Sequence, residues 1–360
     1  MKLDHQEKFE SFNVLTYTTQ AYGIDARRYY DPLQPRVSLQ AFDEVAQSMF
    51  KRKNVKLFTH SPNGIQIAPY LYLTKDGAKI FPVIFDCKIN PFTTHRLPNT
   101  VLNPLISKMA ECFARYRLFD HPIENYKQFE HLADLCFSDF KVQANTRDFQ
   151  RLLQQWNAKL DASSRRYDRF LDFIDSQTEK FEVHSVIVQR KTIGGRSPQF
   201  DEPGFIDMPE KEIVKELAKP LIELGWRKRK SNNVLGILSK WETDIFGVCS
   251  MRLIFFVKKE YSDWVDFRTS QLYQELHPFM MEDRVQKVAW GDIATMNAGL
   301  SPLFQGQETN YYDSNQLYTG TRLKTLKAHL VGTDYWLRIG GMDTSLQVER
   351  GRTEFYRSNY

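Results

Sequence analysis

The sequence predicts an α+β protein, on two observations. Residues 55–89 read as three short strands separated by turns, which indicates a small antiparallel sheet. Residues 182–291 alternate between apolar patterns in the order strand, helix, strand, strand, helix, strand. That order is typical of a split βαβ unit, as in ferredoxin-like domains. We therefore expect an N-terminal α+β domain over residues 1–145 and a split-βαβ domain with a basic C-terminal segment over residues 146–360.

The N-terminal domain is predicted from turn signals and from one apolar helix face. A short helix at Leu39–Lys51 comes first. Three strands are expected at Val55–Thr59, Ile65–Thr74 and Lys79–Lys88. Asn63-Gly64 and Asp76-Gly77 mark the turns between them. A sheet this small needs a packing partner, and the helical apolar face of Pro98–Phe119 is expected to supply it.

The second domain is predicted to begin with a long helix. Apolar residues recur at three- and four-residue spacing from Thr146 to Thr178, with a candidate break at residues 161–164. The elements of the split βαβ unit are expected at Val183–Gln189, Glu210–Leu224, Asn233–Trp241, Met251–Lys258, Trp264–Met280 and Val285–Trp290. Gln189–Pro209 is expected to be a loop, and Arg322–Leu330 a short basic helix.

The composition of the chain limits which cellular compartments and which partners are expected for it. Hydrophobic residues make up 42% of the chain and aromatic residues 14%, enough for a substantial core. The net charge of +5 permits a polyanionic partner without requiring one. None of the four cysteines lies in a C-x-x-C pair, so zinc-ribbon and thioredoxin-like sites are not indicated. Without an apolar run of roughly 20 residues or a secretory signal, we expect a cytoplasmic protein with no membrane partner.

The densest basic run follows the first helix of the split βαβ unit and consists of Trp226, Arg227, Lys228, Arg229 and Lys230. Arginine and lysine neutralise phosphates, and an adjacent tryptophan stacks on a base. These five residues are candidate DNA contacts. The alternative is a solvated loop whose charges favour the C-terminus of the preceding helix.

One segment resembles a known family. Trp241 and Glu242 end a strand, Gly247 lies in the following turn, and Leu253–Val257 forms the next apolar strand. This pattern resembles the central motif of the inovirus-type replication proteins, the YagK/YfjJ-like family of phage and prophage origin. Shorter likenesses lie at residues 102–113, 184–193 and 351–359. The resemblance implies a Rep-like domain in a DNA-binding protein of mobile-element origin, related to rolling-circle initiators. The basic runs and the sheet face are expected to grip single-stranded or distorted DNA.

The chain departs from that family at the metal site. The family's two histidines, which hold a divalent metal on one strand face, would fall on Ser250 and Arg252. The metal polarises the scissile phosphate for attack by a tyrosine. No His-x-His occurs in the chain, so we expect no metal site of this kind, and any other cofactor stays open. Arg252 is a candidate DNA contact that holds a phosphate as a fixed charge; the alternative is a surface residue at the start of a strand.

Catalytic candidates remain despite this departure. Tyr311 and Tyr312 lie in a polar segment read as a loop, and Tyr356 lies in the C-terminal motif. Glu242 is a candidate metal ligand or orienting group. The alternatives are packing or surface tyrosines and an exposed strand-end carboxylate.

Three functional readings follow from the sequence. The first is a DNA-binding protein whose nicking activity is in doubt. The second is a catalytically inactive regulator or protein-interaction module with a protein partner. The third retains nuclease activity with altered ligands, Glu242 and His184.

Overall fold

A computed structural model describes residues 33–51, 56–86, 100–119, 125–190, 208–227, 233–243, 249–259, 271–281, 286–291, 311–340 and 343–349. Within these ranges the chain is mixed α+β, as predicted, with antiparallel sheets and several helices. It divides into two compact units. The described residues of the N-terminal unit lie within Gly23–Leu97 and Val101–Ala158, and those of the C-terminal unit within Pro98–Thr100 and Lys159–Tyr360.

The elements of the first part of the chain are α1 Leu33–Lys51, β1 Phe58–Thr59, β2 Ile65–Ala68, β3 Leu71–Leu73, α2 Lys75–Asp86, β4 Thr100–Leu102, α3 Pro104–Arg115, α4 Tyr126–Ala144 and α5 Arg147–Gln177. The first three strands form an antiparallel sheet in the order β1-β3-β2. The predicted strand Ile65–Thr74 is divided into β2 and β3 by a turn. The small sheet of the prediction is therefore present, with different strand bounds.

The predicted third strand, Lys79–Lys88, is wrong, because its described residues, 79–86, belong to helix α2. Ile80 and Ile84, four residues apart, are both buried, a spacing that places them on one face of a helix and equally on one face of a strand. The Thr74 hydroxyl accepts from Gly77 N at 3.0 Å and caps the helix. A Cβ at Gly77 would lie 2.0 Å from the Leu57 carbonyl oxygen, so the chain needs glycine there for close backbone approach rather than for a hairpin turn.

Aromatic residues form much of the core of the N-terminal unit. The ring centroid of Phe42 lies 5.0 Å from that of Phe113 on α3 and 5.9 Å from that of Phe119. Phe129 of α4 makes an edge-on contact with Phe58 at 5.8 Å. Helix α4, which the sequence reading missed, is capped by Asn125, whose side chain accepts from Gln128 N at 3.2 Å.

The elements of the C-terminal unit that follow α5 are β5 Lys180–Arg190, α6 Met208–Arg227, β6 Val234–Thr243, β7 Cys249–Lys258, α7 Gln271–Met281, β8 Gln286–Gly291, β9 Tyr311–Asp313, α8 Thr319–Lys327, a π-helical turn at Ala328–Gly332, α9 Thr333–Trp336, β10 Leu337–Ile339 and β11 Gln347–Glu349. We call Ala328–Gly332 the π-turn. The main sheet has the order β11-β6-β7-β5-β8, and β9 pairs with the start of β5. Every pairing in it is antiparallel.

The two faces of this sheet pack differently. Alternate side chains of a strand point to opposite faces. One face joins a single apolar cluster with α6 and α7, and its strand residues include Val186, Trp241, Leu253 and Phe255. The other face carries Phe256, whose ring lies 4.9 Å from that of Phe170 on α5. It also carries charged side chains, which form the site described below.

Three sequence predictions in this unit have definite outcomes. The strands and helices predicted between residues 183 and 290 are confirmed where they are described. The predicted break at residues 161–164 is wrong, because α5 is continuous and Ser163 and Ser164 are buried in it. Tyr311 and Tyr312 lie in β9 rather than in a loop. Most of the predicted loop Gln189–Pro209 lies outside the described residues.

Candidate functional site

A group of polar and charged side chains lies on the sheet face opposite α6 and α7. We call it the sheet-face cluster; its members are Ser185 of β5, Lys240 and Glu242 of β6, Arg252 of β7, His329 of the π-turn, and Thr333 and Asp334 of α9. Buried charges are costly unless they are paired and hydrogen-bonded. Such a cluster within an apolar sheet is therefore the strongest functional candidate among the described residues.

Strand register brings the four sheet residues together. Lys240 lies directly opposite Arg252, and Glu242 lies opposite Ser250, in the β6–β7 pair. Residues two apart on a strand share a face, so Lys240 and Glu242 point the same way. On the other side of β7, Arg252 pairs with Ile187 of β5, which places Ser185 on the same face and diagonal to the arginine.

The Arg252 guanidinium holds the carboxylate of Glu242. Arg252 Nε donates to Glu242 Oε1 at 2.7 Å, and Arg252 Nη1 donates to Ser185 Oγ at 2.8 Å. Arg252 is only 2% exposed. Burial alone would raise the pKa of Glu242, yet the charge of Arg252 and the hydrogen bonds from Arg252 and His329 hold it well below its usual range. Glu242 is therefore a largely buried carboxylate, with its side chain 15% exposed, that stays ionised.

His329 completes a dyad with the same carboxylate. Its Nε2 donates to Glu242 Oε1 at 3.0 Å. Its Nδ1 is buried and has no hydrogen-bond partner among the described residues. Burial lowers the pKa of His329, and the positive charges of Arg252 and Lys240 lower it further. The carboxylate of Glu242 acts in the opposite direction and raises this pKa. The imidazole is therefore neutral near pH 7, with an unpaired Nδ1 lone pair.

Lys240 fastens the π-turn to the sheet. Its buried ammonium donates to the Leu330 carbonyl and to Thr333 Oγ1 at 2.7 Å. It also pairs with Asp334 Oδ1 at 3.1 Å. Burial raises the pKa of Asp334 above its ordinary range although Lys240 opposes that shift. Single π-turns in helices are rare and often mark functional positions, and this one presents His329 to Glu242.

The structure corrects the predicted role of Arg252. The sequence suggested a guanidinium that holds a DNA phosphate as a fixed charge. Its exposed fraction of 2% and its contacts with Glu242 and Ser185 instead make it an internal counter-ion. The alternative of a surface strand residue is wrong for the same reason. The Glu242 carboxylate accepts hydrogen bonds from both Arg252 and His329, and the catalytic role considered for it stays a prediction.

The tyrosine candidates lie elsewhere in the C-terminal unit. Tyr312 is buried, its ring stacks on Phe181 at 5.3 Å, and the Arg322 guanidinium lies 4.0 Å from its centroid. It packs opposite Phe181, four residues before Ser185, a distance of roughly 13 Å along a strand. Tyr311 is half-buried, and desolvation raises the pKa of its hydroxyl. Tyr312 is therefore a packing residue, the alternative considered above, and neither tyrosine belongs to the sheet-face cluster.

The histidine expected beside Glu242 was the wrong one. His184 belongs to the face opposite that of Ser185, and its Nε2 lies 3.1 Å from Glu182. The nuclease reading based on Glu242 and His184 is therefore wrong. The histidine that does contact Glu242 is His329, 87 residues further along the chain. No local motif surrounds His329, so nothing in the sequence pattern identified it.

Several predicted site residues are not described in atomic detail. The backbone of Trp226 and Arg227 ends helix α6, and their side chains lie outside the described part. Lys228, Arg229, Lys230 and Tyr356 also lie outside the described residues. Their roles as DNA contacts or nucleophile stay predictions.

The chemistry of the cluster is that of fixed charges. Among the described residues, no group of three or more His, Cys, Asp or Glu side chains is placed to hold a metal ion. Arg252 and Lys240 supply the positive charge that balances Glu242 and Asp334. The donor set does not fit a divalent cation, because two fixed cations lie beside the one carboxylate–histidine pair.

Comparison with protein-family models, with curated proteins and with solved structures found no match to this chain. Over the part of the chain that is described, every helix is too short or too polar to cross a membrane.

The neutral state of His329 predicts a pH dependence of stability. The pKa of His329 is lower in the folded chain than the ordinary 6.5, so the unfolded chain binds the proton first. The free energy of unfolding should have its highest value above pH 6.5. It should fall as the pH drops below 6.5, by up to about 1.4 kcal/mol per pH unit. Urea titrations between about pH 8 and pH 5 measure this slope.

A pair of variants isolates the histidine responsible. His329→Gln keeps a donor for Glu242 and should remove most of the slope. His60→Gln, at an exposed histidine of the N-terminal unit, is the matched control and should leave the slope in place. A slope that survives in His329→Gln would assign the effect to another group.

Proposed function

We propose that this chain is a DNA-binding protein of phage or mobile-element origin, related to rolling-circle replication initiators, that binds single-stranded DNA in the cytoplasm without nicking it. The observation that carries the proposal is the Arg252–Glu242 ion pair, at the strand position where the resembled family holds its metal. A guanidinium there balances the carboxylate and leaves no need for a divalent ion. DNA contact would then come from the predicted basic run at residues 226–230, since the Arg252 guanidinium is occupied by Glu242.

The strand order of the main sheet supports the proposed relation to replication initiators. Written from one edge, the sheet runs β8-β5-β7-β6, with α6 between β5 and β6 and α7 between β7 and β8. Both helices pack on one face. This is the strand order expected of a split βαβ unit of the ferredoxin-like and Rep-like kind, on which we base the relation to initiators. Fold alone does not assign function, so the binding claim depends on experiment.

The test is a gel assay with labelled single-stranded and duplex DNA, with and without Mn²⁺. We expect salt-sensitive retardation of the single strand, no cleavage, and no effect of the metal. Cleavage with a covalent tyrosine adduct would overturn the claim of inactivity. Absence of any binding would overturn the DNA-binding function.

Charge reversal at the basic run tests where DNA binds. Arg227→Glu with Arg229→Glu should weaken binding about tenfold or more and reduce the slope of log K against log salt by about one per lost phosphate contact. Filter binding at several salt concentrations measures both quantities. Lys215→Glu, at an exposed lysine of helix α6, is the control and should have a smaller effect on both the affinity and the salt slope. Unchanged affinity across the salt series would remove the basic run from the interface.

A second candidate function is an inactive regulator that works through a protein partner. The observation that favours it is the burial of Tyr312 and Arg252, which leaves neither as a surface group for nucleic-acid chemistry. It predicts that a defined protein co-purifies with the chain and that affinity for DNA is absent. Retardation of DNA by the pure protein would count against it.

A further inference from the structure

The π-turn interrupts what is otherwise one continuous helix. Helix α8 leads directly into Ala328–Gly332 and α9 follows directly after it. The junction residues Lys327 and Thr333 keep helical dihedral angles, with φ of −60° and −59°. Single π-turns are rare within helices and recur at functional positions. The position of this part of the helix therefore depends strongly on the contacts that it makes with the sheet.

Buried polar contacts hold the π-turn and α9 to the main sheet. We call residues 328–336 the π-turn segment. The ammonium of Lys240 binds the backbone and two side chains of this segment. His329 Nε2 donates to Glu242 Oε1 at 3.0 Å. The remaining cover is apolar, since Val331 and its neighbours in the segment are buried.

Helix α8, just before the segment, is held in a different way. The Tyr167 hydroxyl of α5 donates to the Leu323 carbonyl at 2.8 Å. Lys327 pairs with Asp168 of α5 at 2.9 Å. No histidine takes part in these two contacts, so protonation of an imidazole leaves them intact. The junction between α8 and the π-turn is therefore the place where the helix can bend.

His329 is placed so that a second proton on its ring is costly. Among the residues that the structure describes, Glu242 and Lys240 of β6 and Arg252 of β7 face it, and Asp334 on its own segment pairs with Lys240. Its buried Nδ1 has no hydrogen-bond partner within the described part of the chain. A proton there creates a buried donor without an acceptor and adds a positive charge beside two fixed cations. Moving the imidazole into water relieves both costs.

We propose that the π-turn segment is a proton-operated latch, which leaves the sheet when His329 takes up a proton and then uncovers Glu242 and Arg252. The latch goes beyond the DNA-binding function proposed above and does not depend on it. Its physical basis is that of other histidine switches, in which a charge change at one side chain biases a two-state element.

The direction of the switch follows from linkage. Burial lowers the pKa of His329 in the closed state below the ordinary 6.5 that it regains in water, so acidification favours the open state. The two neighbouring carboxylates do not produce this effect. The pKa of Glu242 lies below its ordinary 4.5, so this group stays ionised at pH 5.5 in both states. The pKa of Asp334 is raised in the closed state, so its protonation favours closure.

Hydrogen exchange of the full chain at pH 8 and pH 5.5, corrected for intrinsic exchange rates, measures the opening. Protection of the amides in residues 328–336 should fall by up to about tenfold per pH unit below 6.5. Protection in α8 and β7 should stay unchanged. Equal loss in β7 would mean that the whole unit unfolds, and unchanged protection of the segment would mean that it stays closed; either result overturns the latch.

Three variants identify the group responsible. His329→Gln keeps a donor for Glu242 and should abolish the pH dependence. Thr333→Val keeps the histidine but removes one bond from Lys240, so exchange of the segment should rise about fivefold at both pH values and keep its pH dependence. His184→Gln is the matched control at a buried histidine of the same unit, paired with Glu182 at 3.1 Å, and should keep the dependence. A dependence that survives His329→Gln or disappears in His184→Gln would overturn the assignment to His329.

Discussion

Replacing Arg252 with methionine should lower the free energy of unfolding by about 3–5 kcal/mol, because it leaves the carboxylate of Glu242 buried without its counter-ion. Arg252 also donates to Ser185, so its loss removes a second hydrogen bond. His329 is neutral near pH 7 and supplies one hydrogen bond but no charge. Urea-induced unfolding at pH 7, followed by circular dichroism and tryptophan fluorescence, measures the change.

A double variant identifies the unpaired charge as the cause. Glu242→Gln combined with Arg252→Met removes both charges and keeps an acceptor for His329, so it should recover most of the lost stability. Arg165→Met, at an exposed arginine of α5, is the control and should change stability by less than about 0.5 kcal/mol. Equal destabilisation in the single and double variants would mean that packing, rather than charge pairing, explains the effect.

Replacing Lys240 with methionine should destabilise the chain by about 3 kcal/mol at pH 8 and by less at pH 5. The ammonium pairs with Asp334 and donates to the Leu330 carbonyl and the Thr333 hydroxyl, so its removal frees the π-turn from the sheet. Burial already raises the pKa of Asp334, and Lys240 opposes that rise. In the variant this pKa should rise further, so that Asp334 takes up a proton at a higher pH than it does in the unmodified chain.

The sign of this pH dependence follows from linkage. A group whose pKa is higher in the folded state contributes stability that is present at low pH and lost as the pH rises through that value. The cost of Lys240→Met should therefore grow as the pH rises above 3.8, the ordinary value for an aspartate. Adding Asp334→Asn should remove most of this growth, since asparagine does not ionise. A cost that is the same at every pH would indicate that Asp334 is not the group left unpaired.

Long elements with a clear apolar period could be predicted from the sequence. The spacing in α5 and α6 and the alternation in β6 and β7 predicted these elements close to their observed bounds. Short elements were harder to predict. Ile80 and Ile84 suit either a strand or a helix in a brief apolar run, and the N-cap at Thr74 decided for the helix α2. Strand β9 has three residues, too few for any period to appear.

The candidate site was predictable only in part. Glu242 and Arg252 attracted notice because they lie in the segment that resembles the replication-protein motif, and the β6–β7 register places them diagonally on one face. Their burial was not predictable, since it depends on the segments that cover this face of the sheet. His329 and Asp334 come from a segment some ninety residues away, and no spacing rule links them to β6.

The α+β class, the succession of strands and helices between residues 183 and 290, and the lack of a histidine pair at the position where the resembled family has one were all predictable from the order of residues. These features follow from local periodicity and residue identity. Contacts between distant segments, in contrast, make Arg252 an internal counter-ion, bury Tyr312 and bring His329 to Glu242. The reason is physical: burial and charge pairing depend on which distant segments meet, and the low dielectric of the interior then fixes protonation and partners.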